Sequence, residues 1–233
     1  MGETSRARGI HGSLCAAAIA VLIAGCGSGS GSGSGSSGSG TQAAATTMTA
    51  QASSSGAGQL GPERMPLERG AALAPAATTA PGTTVDGIRC APVEQLLYHI
   101  HAHLQVYVDG RPRSLPGAIG LVKPFADQTP VGPFYGARQC YYWLHTHTSD
   151  GVIHIESPTR RIYTLGEFFD EWRQPLGRDR VATARGMVRA FVDGRPWTKD
   201  PRRIPLLPHG VIQLDVGSPA IPFANVSWAG TAL

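Results

Sequence analysis

The stretch YHIHAHLQVYVDG, residues 98–110, decides how this chain folds. Residues 96–108 are rich in the β-branched and aromatic residues that favour strands. Alternate side chains of a strand point to opposite faces, so His99, His101 and His103 share one face and the residues between them share the other. Asp-Gly at 109–110 is typical of a two-residue hairpin turn. The stretch therefore predicts a long strand that carries a row of histidines and ends in a tight turn.

A second histidine-rich stretch, YYWLHTHTSDGVIHIE, occupies residues 141–156. Asp150-Gly151 lies between two β-rich runs and predicts a second hairpin. With a turn centred there, His147 pairs with His154 and His145 pairs with Glu156. Directly opposed residues share a face and have Cβ atoms about 4.5–5.5 Å apart. The hairpin therefore predicts that three imidazoles and one carboxylate converge.

This concentration of imidazoles indicates a metal site. Neutral imidazole is the commonest protein metal ligand, and two histidines two residues apart on a strand can bind one ion at about 2.0–2.1 Å. Imidazoles with a carboxylate suit Zn, Cu(II), Ni or Fe, and we expect Zn or Cu. A face of histidines that senses pH is the alternative. The candidate ligands are His99, His101, His103, His145, His147, His154 and Glu156.

The rest of the chain after residue 86 predicts a β-rich α+β fold, with a mainly antiparallel sheet and one short helix. Residues 111–139 are rich in Pro and Gly and predict loops with short strands. Thr164 followed by Glu167 forms a capping box, which predicts a short helix. Further strands are expected at 186–192, 204–207 and 211–216. The order of elements after Tyr141 resembles a β-grasp arrangement, in which a sheet wraps one helix.

The N-terminus resembles a bacterial lipoprotein leader. Residues 1–25 carry two arginines followed by an apolar run of about 16 Å, which is too short to cross a bilayer as a helix. The run ends in Leu22-Ile23-Ala24-Gly25-Cys26, which is similar to the motif that directs acylation of the cysteine. We therefore expect export, with Cys26 lipidated and the protein anchored in the cell envelope, at the outer membrane or in the periplasm of a Gram-negative cell. A plain secretory signal with an incidental Cys26 is the alternative.

A tether is expected between this leader and the folded domain. Residues 27–40 are nearly pure Gly and Ser, and no charged residue occurs between Cys26 and Glu63. Such a composition cannot bury enough apolar surface to fold. The sequence therefore predicts a signal peptide at 1–25, a disordered tether at 26–86, and one globular domain at 87–233.

The charges and the cysteines limit the partners and the compartment. The net charge is +4, only 15% of residues are charged, and the basic residues are scattered, which argues against nucleic-acid binding. We expect the lipid to be the only contact with the membrane, and the sequence names no protein partner. Cys90 and Cys140 remain for the domain, and an even pair in an exported chain predicts a disulfide. Participation of Cys140 in the metal site is the alternative.

Both histidine segments, together with YTLGEFFDEW at 163–172 and IQLDVG at 212–217, resemble an uncharacterised family of exported bacterial and archaeal proteins. The resemblance implies a shared domain and no particular activity. We expect a lipid-anchored extracytoplasmic protein that binds Zn or Cu, rather than an enzyme. One alternative is a metalloenzyme, a hydrolase or an oxygenase, with Glu156 as its base. The other is a metal-free interaction module of the envelope.

Overall fold

The computed structural model describes residues 58–231 and residue 233. This part of the chain is rich in strands and has one short α-helix, which confirms the prediction of a β-rich α+β fold. The predicted leader and Cys26 lie outside the described residues. The elements are β1 Cys90–Ala91, β2 Tyr98–Val108, β3 Arg111–Arg113, β4 Leu121–Thr129, β5 Gly132–Tyr142, β6 Leu144–His145, β7 Val152–Ser157, β8 Tyr163–Thr164, α1 Leu165–Glu171, β9 Arg180–Val181, β10 Ala184–Arg185, β11 Val188–Val192, β12 Arg195–Trp197, β13 Pro205–Leu206 and β14 Val211–Val216.

The predicted histidine strand, β2, is a central strand of the largest sheet. The strands of this sheet lie in the order β12-β11-β14-β2-β7-β6, and β3 also pairs with β2. Strand β2 runs parallel to β14 and antiparallel to β7. The strands after Tyr141 therefore do not form a β-grasp sheet by themselves, because β2 from the first half lies between β7 and β14.

Two hairpins of the sheet close through the same Asp-Gly turn. Asp109-Gly110 joins β2 to β3, and Asp193-Gly194 joins β11 to β12. All four residues have positive φ, with both aspartates at 49° and the glycines at 74° and 76°. Positive φ at both central residues is the geometry that a tight hairpin requires. Both aspartates are therefore turn residues, which confirms the turn predicted at Asp109-Gly110.

A long β-ribbon occupies residues that the sequence assigned to loops and short strands. Strands β4 and β5 pair over most of their length, and β1 joins β5 to make a three-stranded sheet. Pro124 in β4 follows a register irregularity after Val122, and Pro133 lies near the open end of the ribbon. Proline is tolerated at bulges and on edge strands, where no ladder hydrogen bond is lost. The expectation of loops with short strands was therefore wrong for residues 121–139, because these prolines occupy such positions.

Helix α1 begins at the capping box that the sequence predicts. The Thr164 hydroxyl accepts from the Glu167 backbone N–H, and the Glu167 carboxylate accepts from the Thr164 N–H at 2.8 Å. Phe168, Phe169 and Trp172 are fully buried, so the helix packs its aromatic face into the core. Within the described residues, no helix is long and apolar enough to span a membrane.

The folded part of the chain begins well before the predicted boundary at residue 86. Met65 and Leu73 are buried, the Glu68 N–H donates to the Ser149 carbonyl at 2.9 Å, and the Leu73 N–H donates to the Ser114 carbonyl at 2.9 Å. The assignment of residues 58–86 to the tether is therefore corrected. A few buried apolar side chains and several backbone hydrogen bonds hold this segment against the rest of the domain. The sequence did not predict this, because the segment has no strand or helix periodicity.

Candidate metal centre

Three adjacent strands bring histidines from distant parts of the chain to one face of the sheet. In the pairing of β2 with β7, His99 lies opposite Glu156 and His101 lies opposite His154. In the pairing of β7 with β6, His154 also lies opposite His145. His154 therefore has a histidine on each side of it within the sheet. The predicted period-two pattern produces this face.

The register of the second hairpin differs from the predicted one by two residues. We expected His147 opposite His154 and His145 opposite Glu156, but His145 is the residue opposite His154. The connection between β6 and β7 spans residues 146–151, because Asp150 Oδ1 accepts from the Val152 N–H at 3.1 Å and so caps the start of β7. A shift of two residues preserves the face of each side chain. The same residues therefore converge, and His147 reaches them from the loop.

One compact group of possible metal ligands is buried. Its four donor atoms all lie within 4.8 Å of one another. The Nε2 atoms of His145 and His147 are 3.1 Å apart, and Glu156 Oε1 lies 3.8 Å from His145 Nε2. No member is more than 5% exposed. We call this the inner group; it consists of His145, His147, His154 and Glu156.

Backbone carbonyls fix the orientation of two inner imidazoles. His145 Nδ1 donates to the Tyr142 carbonyl at 2.8 Å, and His147 Nδ1 donates to the Tyr135 carbonyl at 2.6 Å. A carbonyl oxygen can only accept, so the hydrogen of each neutral ring is on Nδ1. The Nε2 atom of each ring therefore presents a lone pair to the interior of the group. This is the arrangement that metal-binding histidines adopt in proteins.

His154 lies between two carboxylates. Its Nε2 is 2.6 Å from Glu63 Oε1, and its Nδ1 is 3.2 Å from Glu156 Oε1. Burial alone would lower the pKa of His154, but the hydrogen bonds and charges of Glu156 and Glu63 outweigh it and raise that pKa to about 9. Burial would likewise raise the pKa of Glu63, and the contact with His154 lowers it. In the absence of a metal, His154 is therefore an imidazolium paired with two carboxylates.

The other buried imidazoles of the cluster stay neutral at ordinary pH. Burial, together with the neighbouring His147 and His154, lowers the pKa of His145 well below its usual value. Burial and the charge of His154 lower the pKa of His147 to about 4. The same two causes lower the pKa of His101 to about 3. Neutral imidazole is the form that binds metals, so protons do not compete for these rings near pH 7.

A second group of possible ligands shares two residues with the inner group. It consists of His99, His101, His154 and Glu156, and its donor atoms also lie within 4.8 Å of one another. The Nε2 atoms of His99 and His101 are 3.0 Å apart, and His99 Nε2 is 3.2 Å from Glu156 Oε1. We call His99 and His101 the outer pair, because the side chain of His99 is 37% exposed.

Sequence reasoning missed two carboxylates beside the cluster. Glu63 contacts His154 and also accepts from the Thr148 hydroxyl at 3.0 Å. Glu94, in the loop between β1 and β2, places Oε1 3.5 Å from His147 Nε2. The one available signal for Glu63 was that it is the first charged residue after the long Gly/Ser/Ala/Thr run. Nothing in the sequence pattern distinguishes Glu94 from an ordinary surface glutamate.

Of the predicted ligands, His103 is the one that lies outside both groups. Its Nε2 bonds to the Asp150 carbonyl at 2.8 Å, and its buried Nδ1 has no partner among the described residues. His103 shares a face with His99 and His101, but it is farther along β2, opposite Val152 rather than opposite a histidine or Glu156. The face was predicted from the strand period, and the exclusion of His103 follows from the position at which β7 begins.

The two domain cysteines form a disulfide, as predicted. Cys90 and Cys140 are joined by an S–S bond of 2.06 Å. The bond links β1 to β5, so it fixes the start of the loop that carries Glu94. Cys140 is therefore not a metal ligand.

Comparisons with protein-family models, with curated proteins and with solved structures found no match for this chain.

Proposed function

We propose that this protein binds a transition-metal ion, Zn or Cu, at the inner group. The observation that carries the proposal is the contact between His145 Nε2 and His147 Nε2 at 3.1 Å, with each Nδ1–H donated to a carbonyl. Both Nε2 atoms then carry lone pairs, and two lone pairs at this distance repel each other. A cation between them replaces the repulsion with two favourable bonds.

The chemistry of the donors supports Zn or Cu. Three imidazoles and one carboxylate are a borderline donor set that suits Zn and Cu(II) better than Mg or Ca, which prefer oxygen ligands. His154 can contribute its Nδ1 while its Nε2–H donates to Glu63. A carboxylate that holds a ligating histidine in this way fixes the tautomer and increases the basicity of the ring.

Burial favours binding over catalysis at the inner group. His145 is fully buried and His147, His154 and Glu156 are nearly so. Closed sites with four protein ligands are typical of ions that are held, whereas catalytic Zn keeps an open position. Glu156 Oε1 contacts three histidines, which is the position of a ligand rather than of a free base. These observations favour a binding protein over the metalloenzyme, and the convergence of the imidazoles favours it over a metal-free module.

We also propose that the protein works outside the cytoplasm, anchored by a lipid on Cys26. The leader-like sequence motivates this proposal. The Cys90–Cys140 disulfide supports export, because disulfides persist in oxidising compartments. In such a compartment the site would meet metal ions that arrive from outside the cell.

Metal content tests the proposal directly. The full chain, purified without a histidine tag and dialysed with Zn or Cu at pH 7.5, should retain at least one ion per chain by ICP-MS. The double variant His145→Gln/His147→Gln should lose the inner ion. The matched control is His103→Gln, which alters a buried histidine of the same face outside both groups and should keep the native content. Native protein that takes up neither metal would refute the proposal.

A further inference from the structure

The outer pair has the geometry of a second metal position. We infer that the protein holds two metal ions, one at the inner group and one at the outer pair, with the Glu156 carboxylate shared between them. This inference rests on the proposed function, because it assigns a second ion to the same cluster.

The spacing of the outer pair matches that of the inner pair. The Nε2–Nε2 distance is 3.0 Å between His99 and His101 and 3.1 Å between His145 and His147. Two nitrogens bound to one tetrahedral Zn at about 2.0–2.1 Å are about 3.3 Å apart. Each pair is thus close to the spacing of two ligands on one ion, and a small side-chain movement completes the match.

The cluster supplies more donors than one ion uses. A closed tetrahedral site takes four ligands, and the inner group already provides four. His99 and His101 are additional donors. With His154 and Glu156 they form a second group of four, in which all donor atoms also lie within 4.8 Å of one another. One ion at the inner group would leave the two outer imidazoles facing each other without an ion.

Glu156 is placed to serve both positions. Its Oε1 is 3.2 Å from His99 Nε2 and 3.8 Å from His145 Nε2, so it lies between the outer pair and the inner group. Its Oε2 is buried and has no hydrogen-bond partner among the described residues. A buried carboxylate oxygen without a partner is costly, and a cation bound by Glu156 through both oxygens would satisfy it. Because Oε1 faces both histidine pairs, one carboxylate can serve two ions.

Nearby charge supports a pair of divalent ions. Two carboxylates besides Glu156 lie beside the cluster. Glu63 Oε1 is 2.6 Å from His154 Nε2, and Glu94 Oε1 is 3.5 Å from His147 Nε2. These three carboxylates bring negative charge to the cluster. Two cations that share one carboxylate repel each other, so nearby negative charge is needed to hold both.

The outer position opens to solvent. A cleft of about 340 Å³ lies beside it, lined by His99, Ile100, His101, Pro208, His209 and Leu233. Pro208 and His209 belong to a turn that lines the cleft. The His209 N–H donates to the His101 carbonyl at 2.7 Å and holds this turn against β2. An outer ion therefore has protein ligands on one side and open positions towards the cleft, so we expect it to exchange faster than the inner ion.

The number of bound ions separates this inference from the proposed function. The full chain dialysed with Zn should bind two ions per chain by ICP-MS, and His99→Gln/His101→Gln should bind one. A native count of one, or an unchanged count in the double variant, overturns the inference and leaves the proposed function standing. A native count of zero refutes both. His99→Gln alone, at a half-exposed position, provides the same test with little risk to folding.

A spectroscopic measurement tests the shared carboxylate. Two Cu(II) ions bridged by Glu156 should couple magnetically, so the integrated EPR signal of the native protein should fall below its copper content. In His99→Gln/His101→Gln the signal should equal the copper content. Two native copper ions with a full, uncoupled signal would overturn the shared carboxylate.

Discussion

The Nε2 atoms of His145 and His147 lie 3.1 Å apart while both rings give their Nδ1–H to backbone carbonyls. The fold imposes this contact: His145 ends β6, and His147 is held in the following loop by the Tyr135 carbonyl of β5. Two imidazoles that the backbone holds with their lone pairs facing each other form a preorganised chelate. The free energy needed to order the ligands is then spent during folding, so it does not reduce the affinity for the metal.

Replacing Glu63 should weaken metal binding without removing the site. Glu63→Gln leaves every donor of the inner group in place but removes the carboxylate that orients His154. Loss of such a partner typically lowers metal affinity about 10–100-fold. The measurement is competition for Zn with a chromophoric chelator. Glu68→Gln is the matched control, since Glu68 belongs to the same segment but accepts from the Leu115 N–H and touches no donor of the cluster. Equal affinities of the two variants would contradict the role given to Glu63.

A substitution behind the site should disrupt it through packing. Gly120 has φ of 75°, and a Cβ there would lie 2.3 Å from the Leu144 carbonyl oxygen and 2.8 Å from His145 Cβ. Gly120→Ala should therefore displace β6, lower the urea midpoint and reduce bound Zn. Gly87→Ala is the control, because Gly87 has φ of 77° and open space around its Cβ position. It should show only the strain of the backbone, about 1–3 kcal/mol. A Gly120→Ala protein with native metal content would contradict the proposed close contact.

Metal binding should release a proton and should strengthen as the pH rises. In the metal-free protein the pKa of His154 is raised to about 9, so an ion that binds His154 displaces one proton near neutral pH. Below that pKa the apparent affinity should rise about tenfold per pH unit. The slope should steepen below about pH 4, where His147 begins to take up protons. From the sequence alone we would expect release below about pH 6, the range of ordinary histidines. A chelator competition series from pH 3 to 9 distinguishes the two expectations, and a slope that steepens near pH 6.5 would contradict the burial argument.

The disulfide should stabilise the fold without contributing to the metal site. Cys90 and Cys140 are 50 residues apart, and closing a loop of that length stabilises the folded state by about 4 kcal/mol in the chain-entropy treatment. Cys90→Ser/Cys140→Ser should lower the free energy of unfolding by a similar amount in denaturant titrations. Its Zn content under native conditions should be unchanged. Loss of bound Zn from a folded double variant would contradict this and show that the metal site depends on the loop that the bond fixes.

The sequence predicts those features that depend on local patterns. Strand β2, the Asp109-Gly110 turn and the Thr164 capping box each follow from residues a few positions apart. The shared face of His99 and His101 follows from the strand period. The convergence of His145 with His154 was also predicted, although in a register that differs by two residues. A shift of two residues leaves each side chain on the same face of the sheet, so the same residues still meet.

Features that depend on distant contacts could not be predicted. Glu63 meets His154 across 91 positions in the chain, and no local pattern marks that pairing. The parallel pairing of β2 with β14 joins residues about as far apart, and it is set by the topology of the whole sheet. The length of the loop before β7 depends on the Asp150 cap, which a simple Asp-Gly turn rule does not anticipate. These contacts decide which histidines belong to the centre and why His103 does not.

The proposed function places an ion between His145 and His147. Anomalous diffraction at the metal edge, on crystals of the Zn-loaded protein, would locate that ion. With an ion between the two rings, we expect a peak about 2.0–2.1 Å from both Nε2 atoms, with Glu156 among the remaining ligands. A fully loaded crystal whose peak lies away from both Nε2 atoms, or whose His145 ring is flipped so that Nε2 faces the Tyr142 carbonyl, would contradict it.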